Sequence, residues 1–571
     1  MLGASSCTRR LKENPNIVKI IVDQQAYDYC YQTPELKEWM DNLPGRKLLK
    51  QCAIEFLRHY CSEFACVPAR GTLLTGQYDT LTGLSQTNGI AKKENDSVMP
   101  WLRYGQIPTY GNYFEEAGYD SRYVGKFHVS FQDITNPGTS SSVYSVVSYD
   151  VNTGVQDEYL AGIYKHADLL RGFGFKKWVG PECFGIYPNN TGELARTLEQ
   201  GRDRVTTANA IKILKKHERK EGPLHLTVAL VNPHDTVFYN DYTAKAPRLD
   251  FEIDPTLPDV PPPPTYDEDL STKPTCQLSY KNTLPMMLGP ITDKDFFRKL
   301  HYTNIAKADA NIYELMTYLM SSPLYEDTIV IFVSDHGELL DSHGGLTEKW
   351  YVSYQENTHV PFMIHNPLLF NGYKTSNQIT THVDIMTTEM GLCGLNQDKL
   401  LKKLNKKFTN AKPLVGRKIR IDFDNPDAID YTYDVDRENE PVLLRTIDNP
   451  SSGPHQIGLV LLPGDTKLTP VPYQSVSQPS GIETIVTDYE SKNYKYSVYF
   501  DTSGSTTPVP NQYELYNLTD DPIESVNLAY PSNSTPETQA IQAALDAMLT
   551  QQKALKLLQP TLYNNPPNLI G

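Results

Sequence analysis

The sequence predicts a doubly wound α/β domain on a mostly parallel sheet, followed by a smaller C-terminal subdomain with an antiparallel sheet. Three short apolar runs rich in β-branched residues lead to this reading. Asn16 to Val22 (NIVKIIV) ends at Asp23-Gln24-Gln25, Leu226 to Val231 (LTVALV) ends at Asn232-Pro233-His234, and Thr328 to Val333 (TIVIFV) ends at Ser334-Asp335-His336. Such runs mark strands buried on both faces, as in parallel sheets. Helical patterns lie between them: from Thr303 to Met320, Ile305, Ala308, Ile312, Leu315, Met316 and Leu319 recur at helical spacing. Alternation of strand and helix is the doubly wound arrangement. Ligands in open α/β sheets bind beyond the carboxyl ends of the strands, so three strands ending in Asp or His point to one shared site.

A chain of 571 residues is too long for one core, and its text changes near residue 400. Residues 14–400 are expected to form the catalytic α/β domain. The next unit, 401–535, carries short strand-like runs at Val442 to Leu444, Gly458 to Leu462, Thr484 to Thr487 and Tyr494 to Tyr499. Residues 536–571 form the last unit, a helix from Pro536 to Leu558 and a Pro-rich tail, PTLYNNPPNLIG, that resembles a docking arm for a homo-oligomer. The stretch from Asp250 to Pro290, with Pro261 to Pro264 consecutive, reads as a long irregular insertion on the pocket rim.

Composition narrows the function. With 68 acidic residues against 53 Lys and Arg, the net charge of -15 repels nucleic acid and anionic lipid, so an anionic substrate needs a local basic pocket. No run approaches the roughly 18 apolar residues of a membrane helix, and LKENPN after the first ten residues is no signal core. The expectation is a soluble, cytoplasmic protein. Its eight cysteines show no paired metal-ligand spacing and read as mostly free thiols.

The segment with most chemistry is Cys66-Val67-Pro68-Ala69-Arg70, followed by Gly71-Thr72-Leu73-Leu74-Thr75-Gly76. It resembles the C-x-P-x-R signature of the sulfatase family, whose Cys is oxidised to formylglycine. Four further segments resemble family motifs in the same order: Gly125-Lys126-Phe127-His128; Ser334-Asp335-His336-Gly337-Glu338; Lys349 with Tyr354-Gln355-Glu356 and Val360-Pro361-Phe362; and Glu514-Leu515-Tyr516-Asn517-Leu518 with Asp521-Pro522 and Asn527-Leu528-Ala529. The resemblance spans Asn16 to Ala529 and implies an alkaline-phosphatase-like α/β domain with a small C-terminal subdomain.

It also implies a division of labour. Asp23, Gln24, Asp335, His336 and the modified Cys66 would hold one divalent ion, Ca²⁺ first, with Mn²⁺ or Mg²⁺ open because one ligand is His. The hydrate of formylglycine offers one hydroxyl to the metal and one for attack at sulfur. Arg70 and Lys126 would stabilise that hydrate, His128 would manage the proton on its second hydroxyl, and Lys349 with His234 would bind the sulfate and protonate the leaving oxygen. The implied partners are a small anionic sulfate ester and a formylglycine-generating maturation enzyme.

Three departures from the family pattern stand out. Asp23-Gln24 replaces an Asp-Asp pair and resembles the branch of choline sulfatases and phosphonate monoester hydrolases; Ala69 stands where Ser is common, and Gln77 where Arg often follows. The competing readings are a phosphonate monoester or phosphodiester hydrolase on the same nucleophile, and an inactive anion-binding protein that keeps Cys66 as a thiol. Tyr239, Tyr242, Tyr266 and Tyr280, in and before the insertion, are candidates to receive a trimethylammonium group.

Overall fold

The computed structural model describes residues 10–132, 147–150, 152–183, 190–193, 201–246, 249–461 and 467–561. Its central sheet is built from β1 (Asn16–Asp23), β2 (Ala53–Tyr60), β3 (Asp120–Gly125), β4 (Leu224–Pro233), β5 (Thr328–Ser334), β6 (Phe362–His365) and β7 (Tyr373–Thr381). The order across it is β3-β4-β1-β5-β6-β2-β7. Only β6 runs against its neighbours; every other pairing is parallel.

The strand β1 shows why the sheet must be covered on both sides, because all eight of its residues are buried. Successive side chains of a strand point to opposite faces. Val18, Ile20 and Val22 pack with Ala308, Ile312, Leu315, Met316 and Leu319, and with Ala210, Ile211 and Leu214. Ile17 and Ile21 pack on the other face with Leu73, Leu74, Ile385, Met386 and Met390. Lys19 shares that second face at 0% exposure and survives there through a 2.9 Å ion pair with Glu389; a buried charge needs such a partner. The helix expected from Thr303 to Met320 runs from Lys294 to Ser321, opened by an Asp293 side chain that accepts from the Phe296 amide. Its first turns escape the periodicity because Phe296 and Phe297 pack against loop residues, Tyr239 among them, instead of the sheet.

The insertion after Asp250 is less irregular than its text. Thr275–Leu288 is a helix that keeps Pro285 inside it and buries Cys276, Gln277, Tyr280 and Leu284. Pro285 interrupts the donor ladder there, which is why the sequence reads as a loop.

Beyond the central sheet, β8 (Val442–Thr446), β9 (Ile457–Leu461), β10 (Leu468–Pro472), β11 (Gly481–Tyr489), β12 (Lys492–Phe500) and β13 (Gln512–Asn517) follow. Four form an antiparallel sheet in the order β13-β12-β11-β8, and β9 and β10 make a separate ribbon. The helix Pro536–Lys556 lays Ile541, Leu545 and Leu549 on that sheet against Leu443, Ile485 and Leu515. Residues 562–571 of the expected docking arm lie outside the described residues. No described helix is long and apolar enough to cross a membrane. Among the described residues all seven cysteines, Cys66 included, are free thiols.

Candidate active site

Because β1 lies between β4 and β5, the three polar strand ends read from the sequence meet as neighbours: Asp23 pairs in register with Pro233, and Val22 with Ser334. Ser334 Oγ joins two of these ends by accepting from the Gln25 amide at 3.0 Å and donating to the His336 carbonyl at 2.9 Å. Asp335 Oδ1 then accepts from the amides of Gln24 and His336, at 3.1 and 2.9 Å. Gly337 is required by crowding, since a Cβ there would stand 2.0 Å from the Glu356 carbonyl oxygen.

Cys66 enters from the fourth direction, as the first residue of the fully buried helix Cys66–Thr75. Residue 70 stands one turn on, on the same face, which puts the Arg70 guanidinium beside the carboxylates. Its Nη2 donates to Asp23 Oδ2 at 2.9 Å, its Nε pairs with Asp335 Oδ2 at 2.9 Å, and its Nη1 donates to the Lys126 carbonyl at 2.8 Å. Lys126 follows Gly125, whose φ of +88° and approach to Ala229 O admit no side chain. Its Nζ lies 2.6 Å from Asp23 Oδ2 and 4.0 Å from Cys66 Sγ.

The candidate metal ligands converge. Asp23, Cys66, Asp335 and His336 each offer one ligand atom within 4.8 Å of the others, all buried, and the group could hold a metal ion. The tautomer of His336 fits: Nδ1 lies 3.0 Å from the Gly337 carbonyl, which only accepts, so Nδ1 carries the proton and Nε2 turns its lone pair to Cys66 Sγ at 3.1 Å. Burial keeps His336 neutral by lowering its pKa. Burial alone would raise Asp23, but the surrounding cations, Lys126 first, hold it well below the usual carboxylate range. Gln24, the remaining expected ligand, lies beside this group: its Oε1 accepts from Lys349 Nζ at 2.5 Å, and its Nε2 donates to Glu338 at 2.5 Å and Glu348 at 3.2 Å. Burial and then Glu348 lift the Glu338 carboxyl to about 7.

A cavity of about 600 Å³ opens above this group, and Cys66, Lys126, His128, His234 and Lys349 all line it. Arg70 stays behind it, bound to the carboxylates. Burial, and after it Lys126, lower the pKa of both His128 and His234, which are neutral. Burial opposes the charge on Lys349, but Cys66, Glu348 and Asp23 raise its pKa and keep it protonated. Burial and then Asp23 push the Cys66 thiol up to about 12.

Several participants gave no signal in the sequence. Asn88 Oδ1 lies 2.8 Å from His128 Nε2, and Glu182, fully buried, accepts from the amides of Phe127 and His128. That carboxylate fixes His128 at a φ of +60°, a region β-carbon residues rarely adopt. The tyrosine candidates lie away from the cavity, as 37 tyrosines in the chain make several in any long loop ordinary. Tyr239, Tyr242, Tyr266 and Tyr280 do not line the cavity; Phe238 and Trp350 do. Tyr280 is fully buried and donates to the Thr347 carbonyl, and Tyr239 stacks on Phe296, because apolar neighbours draw both rings inward. The insertion expected on the rim contributes Leu288.

Comparison with known proteins gives the family. Human iduronate 2-sulfatase is 26% identical over 378 residues, 64% of this chain and 62% of that protein, so the chain matches about three fifths of its length. A choline-sulfatase from Rhizobium meliloti is 23% identical over 402 residues, 68% of this chain and 69% of that protein. The crystal structure of a phosphonate monoester hydrolase from Agrobacterium radiobacter shares the fold, with a TM-score of 0.55, 14% identity and coverage of 95% of this chain and 96% of that one. The sulfatase family profile matches residues 15–395, two thirds of the sequence, and the chain belongs to the sulfatase family.

Proposed function

We propose that the chain hydrolyses sulfate esters, with Cys66 converted to formylglycine as the nucleophile and a divalent ion held by Asp23, Asp335, His336 and residue 66. The observation that carries this reading is the place of Cys66. It lies under the cavity within 4.0 Å of Lys126 and 3.1 Å of His336, in one buried group with Asp23 and Asp335. An unmodified thiol is a soft donor beside two hard carboxylates, and an oxygen nucleophile at the same position removes that mismatch.

The donors suit an oxygen-preferring ion, Ca²⁺ first, with Mn²⁺ or Mg²⁺ compatible with His336. Bound there, the ion supplies Lewis acidity and lowers the pKa of an oxygen nucleophile. The chain's own groups do the rest. Arg70 and Lys126 hold the Asp23 carboxylate, and Arg70 that of Asp335, so that both would be fixed to bind the ion. Lys126, Lys349 and His234 line the cavity where a tetrahedral anion would sit. Lys349, which stays protonated, would donate to the leaving oxygen, and neutral His128 would accept a proton from residue 66.

The phosphonate or phosphodiester reading rests on Gln24, a neutral amide next to Asp23 where a second carboxylate would make the site more negative. Two measurements test the proposal. The mass of the peptide containing residue 66 should show the thiol replaced by an aldehyde, and kcat/KM should favour an aryl sulfate over a phenyl phosphonate ester with the same leaving group. An unmodified thiol in active enzyme would overturn the nucleophile. A phosphonate preference of about tenfold, roughly 1.4 kcal/mol of transition-state stabilisation, would overturn the substrate class.

A further inference from the structure

A second cavity, of about 860 Å³, lies on the far side of Cys183, which borders both it and the candidate active site. Both volumes fall within the range of ligand sites. The second is walled by β3, by residues around Lys177 to Pro181 and by the helix Arg202–His217. Eight Lys and Arg side chains line it against two carboxylates, Asp120 and Glu158, which inverts the acidic balance of the whole chain.

Those two carboxylates are already committed. Asp120 pairs with Arg122 at 2.8 Å and Lys220 at 3.1 Å, and Glu158 with Lys212 at 2.8 Å and Lys165 at 3.7 Å. Lys177, Lys215 and Lys216 have no acidic partner among the described residues and are exposed. Arg202 adds a stronger sign. It is 5% exposed, its guanidinium lies 4.0 Å over the Tyr149 ring, it donates to the Gly154 carbonyl, and its Nε has no acceptor. A guanidinium buried with a donor unfilled is costly unless an anion completes it.

We propose that this cleft is a second anion site, which takes a further sulfate of a polysulfated oligosaccharide. The proposal rests on the sulfate-ester reading above and extends it from a single ester to a polyanion. Three observations select the ligand. The cationic excess calls for several anionic groups. Gln156, Thr206 and Asn209 between the cations offer hydrogen bonds to hydroxyls. Among the described residues no Phe, Tyr or Trp lines the cleft, so nucleic-acid bases would find little stacking surface beyond His217. The shared wall at Cys183 places the two sites side by side.

The test uses the full chain carrying Cys66→Ala, so that ligand is bound and not consumed. Calorimetry with a polysulfated hexasaccharide should show binding that falls about tenfold or more on combining Lys177→Ala, Lys215→Ala and Lys216→Ala, at roughly 0.5 kcal/mol for each exposed charge. The unsulfated hexasaccharide should not bind, and Arg202→Met should weaken binding as well. The melting temperature serves as the folding control for every variant. Equal affinity in the triple variant would overturn the site. A DNA oligomer of matched charge that binds as tightly, and is lost on the same substitutions, would overturn the saccharide assignment. Cleft-dependent binding in the Cys66→Ala chain, together with a parent chain that hydrolyses no sulfate ester, would refute the ester reading and leave the cleft standing.

Discussion

Cys66 Sγ and His336 Nε2 face each other across 3.1 Å, with Asp23 Oδ1 3.7 Å from the sulfur and 3.6 Å from the imidazole nitrogen. The lone pair of His336 and the carboxylates of Asp23 and Asp335 therefore point at one place. A divalent ion bound there stabilises the folded chain by mass action, about 2.7 kcal/mol at a hundred times its Kd. Calcium should raise the melting temperature of chelator-treated protein, and Asp335→Asn should erase that rise together with activity. A melt indifferent to both chelator and added ion would refute the ligand set.

Cys66→Ala should remove turnover, by about a thousandfold or more. The cost in stability should be on the order of 1 kcal/mol, because the residue packs at a helix start and loses one sulfur. Steady-state rates with an aryl sulfate and a melt on the same preparation check both halves. Residual activity within about tenfold of the parent would exclude residue 66 as the nucleophile.

Glu182 reaches the site through backbone, holding the Phe127 and His128 amides and with them the strained turn that aims His128. Glu182→Ala should lower kcat about tenfold to a hundredfold while KM changes little. Glu182→Gln keeps one acceptor oxygen and should recover part of the loss. A change in KM with kcat intact would place Glu182 in binding instead.

His343 sits between Glu268, 2.7 Å from Nδ1, and Glu356, 3.5 Å from Nε2, and stacks on Tyr354 at 3.4 Å. Burial disfavours its charge, but Glu356 and then Glu268 outweigh burial and raise its pKa to about 9. Against an unfolded value of about 6.5, the raised pKa gives stability that is fully present below pH 6.5 and lost as pH rises through about 9, on the order of 3 kcal/mol. Lys273, Lys495 and Glu524 complete the network. Denaturant unfolding should show falling stability across that window, and His343→Gln should flatten the fall. A parallel decline in parent and variant would remove His343 as its source.

The sequence by itself determined the fold class and the chemistry of the strand ends. A strand buried on both faces has to be apolar along its length, so NIVKIIV, LTVALV and TIVIFV are legible without coordinates, as are the polar residues that end them. The motif at Cys66 is equally local, since Cys66 and Arg70 share a helix face one turn apart. Tertiary structure decided which charges meet. Arg70 is read from sequence as a stabiliser of the nucleophile, yet the parallel pairing of β1 with β5 gives it Asp23 and Asp335 as partners. Gln24 follows Asp23 in sequence, but its positive φ of 71° turns it towards Lys349, Glu338 and Glu348. Glu182 and Asn88 reach His128 from segments 54 and 40 residues away. No periodicity records such contacts, because they depend on where the chain returns and not on what stands beside them in the sequence.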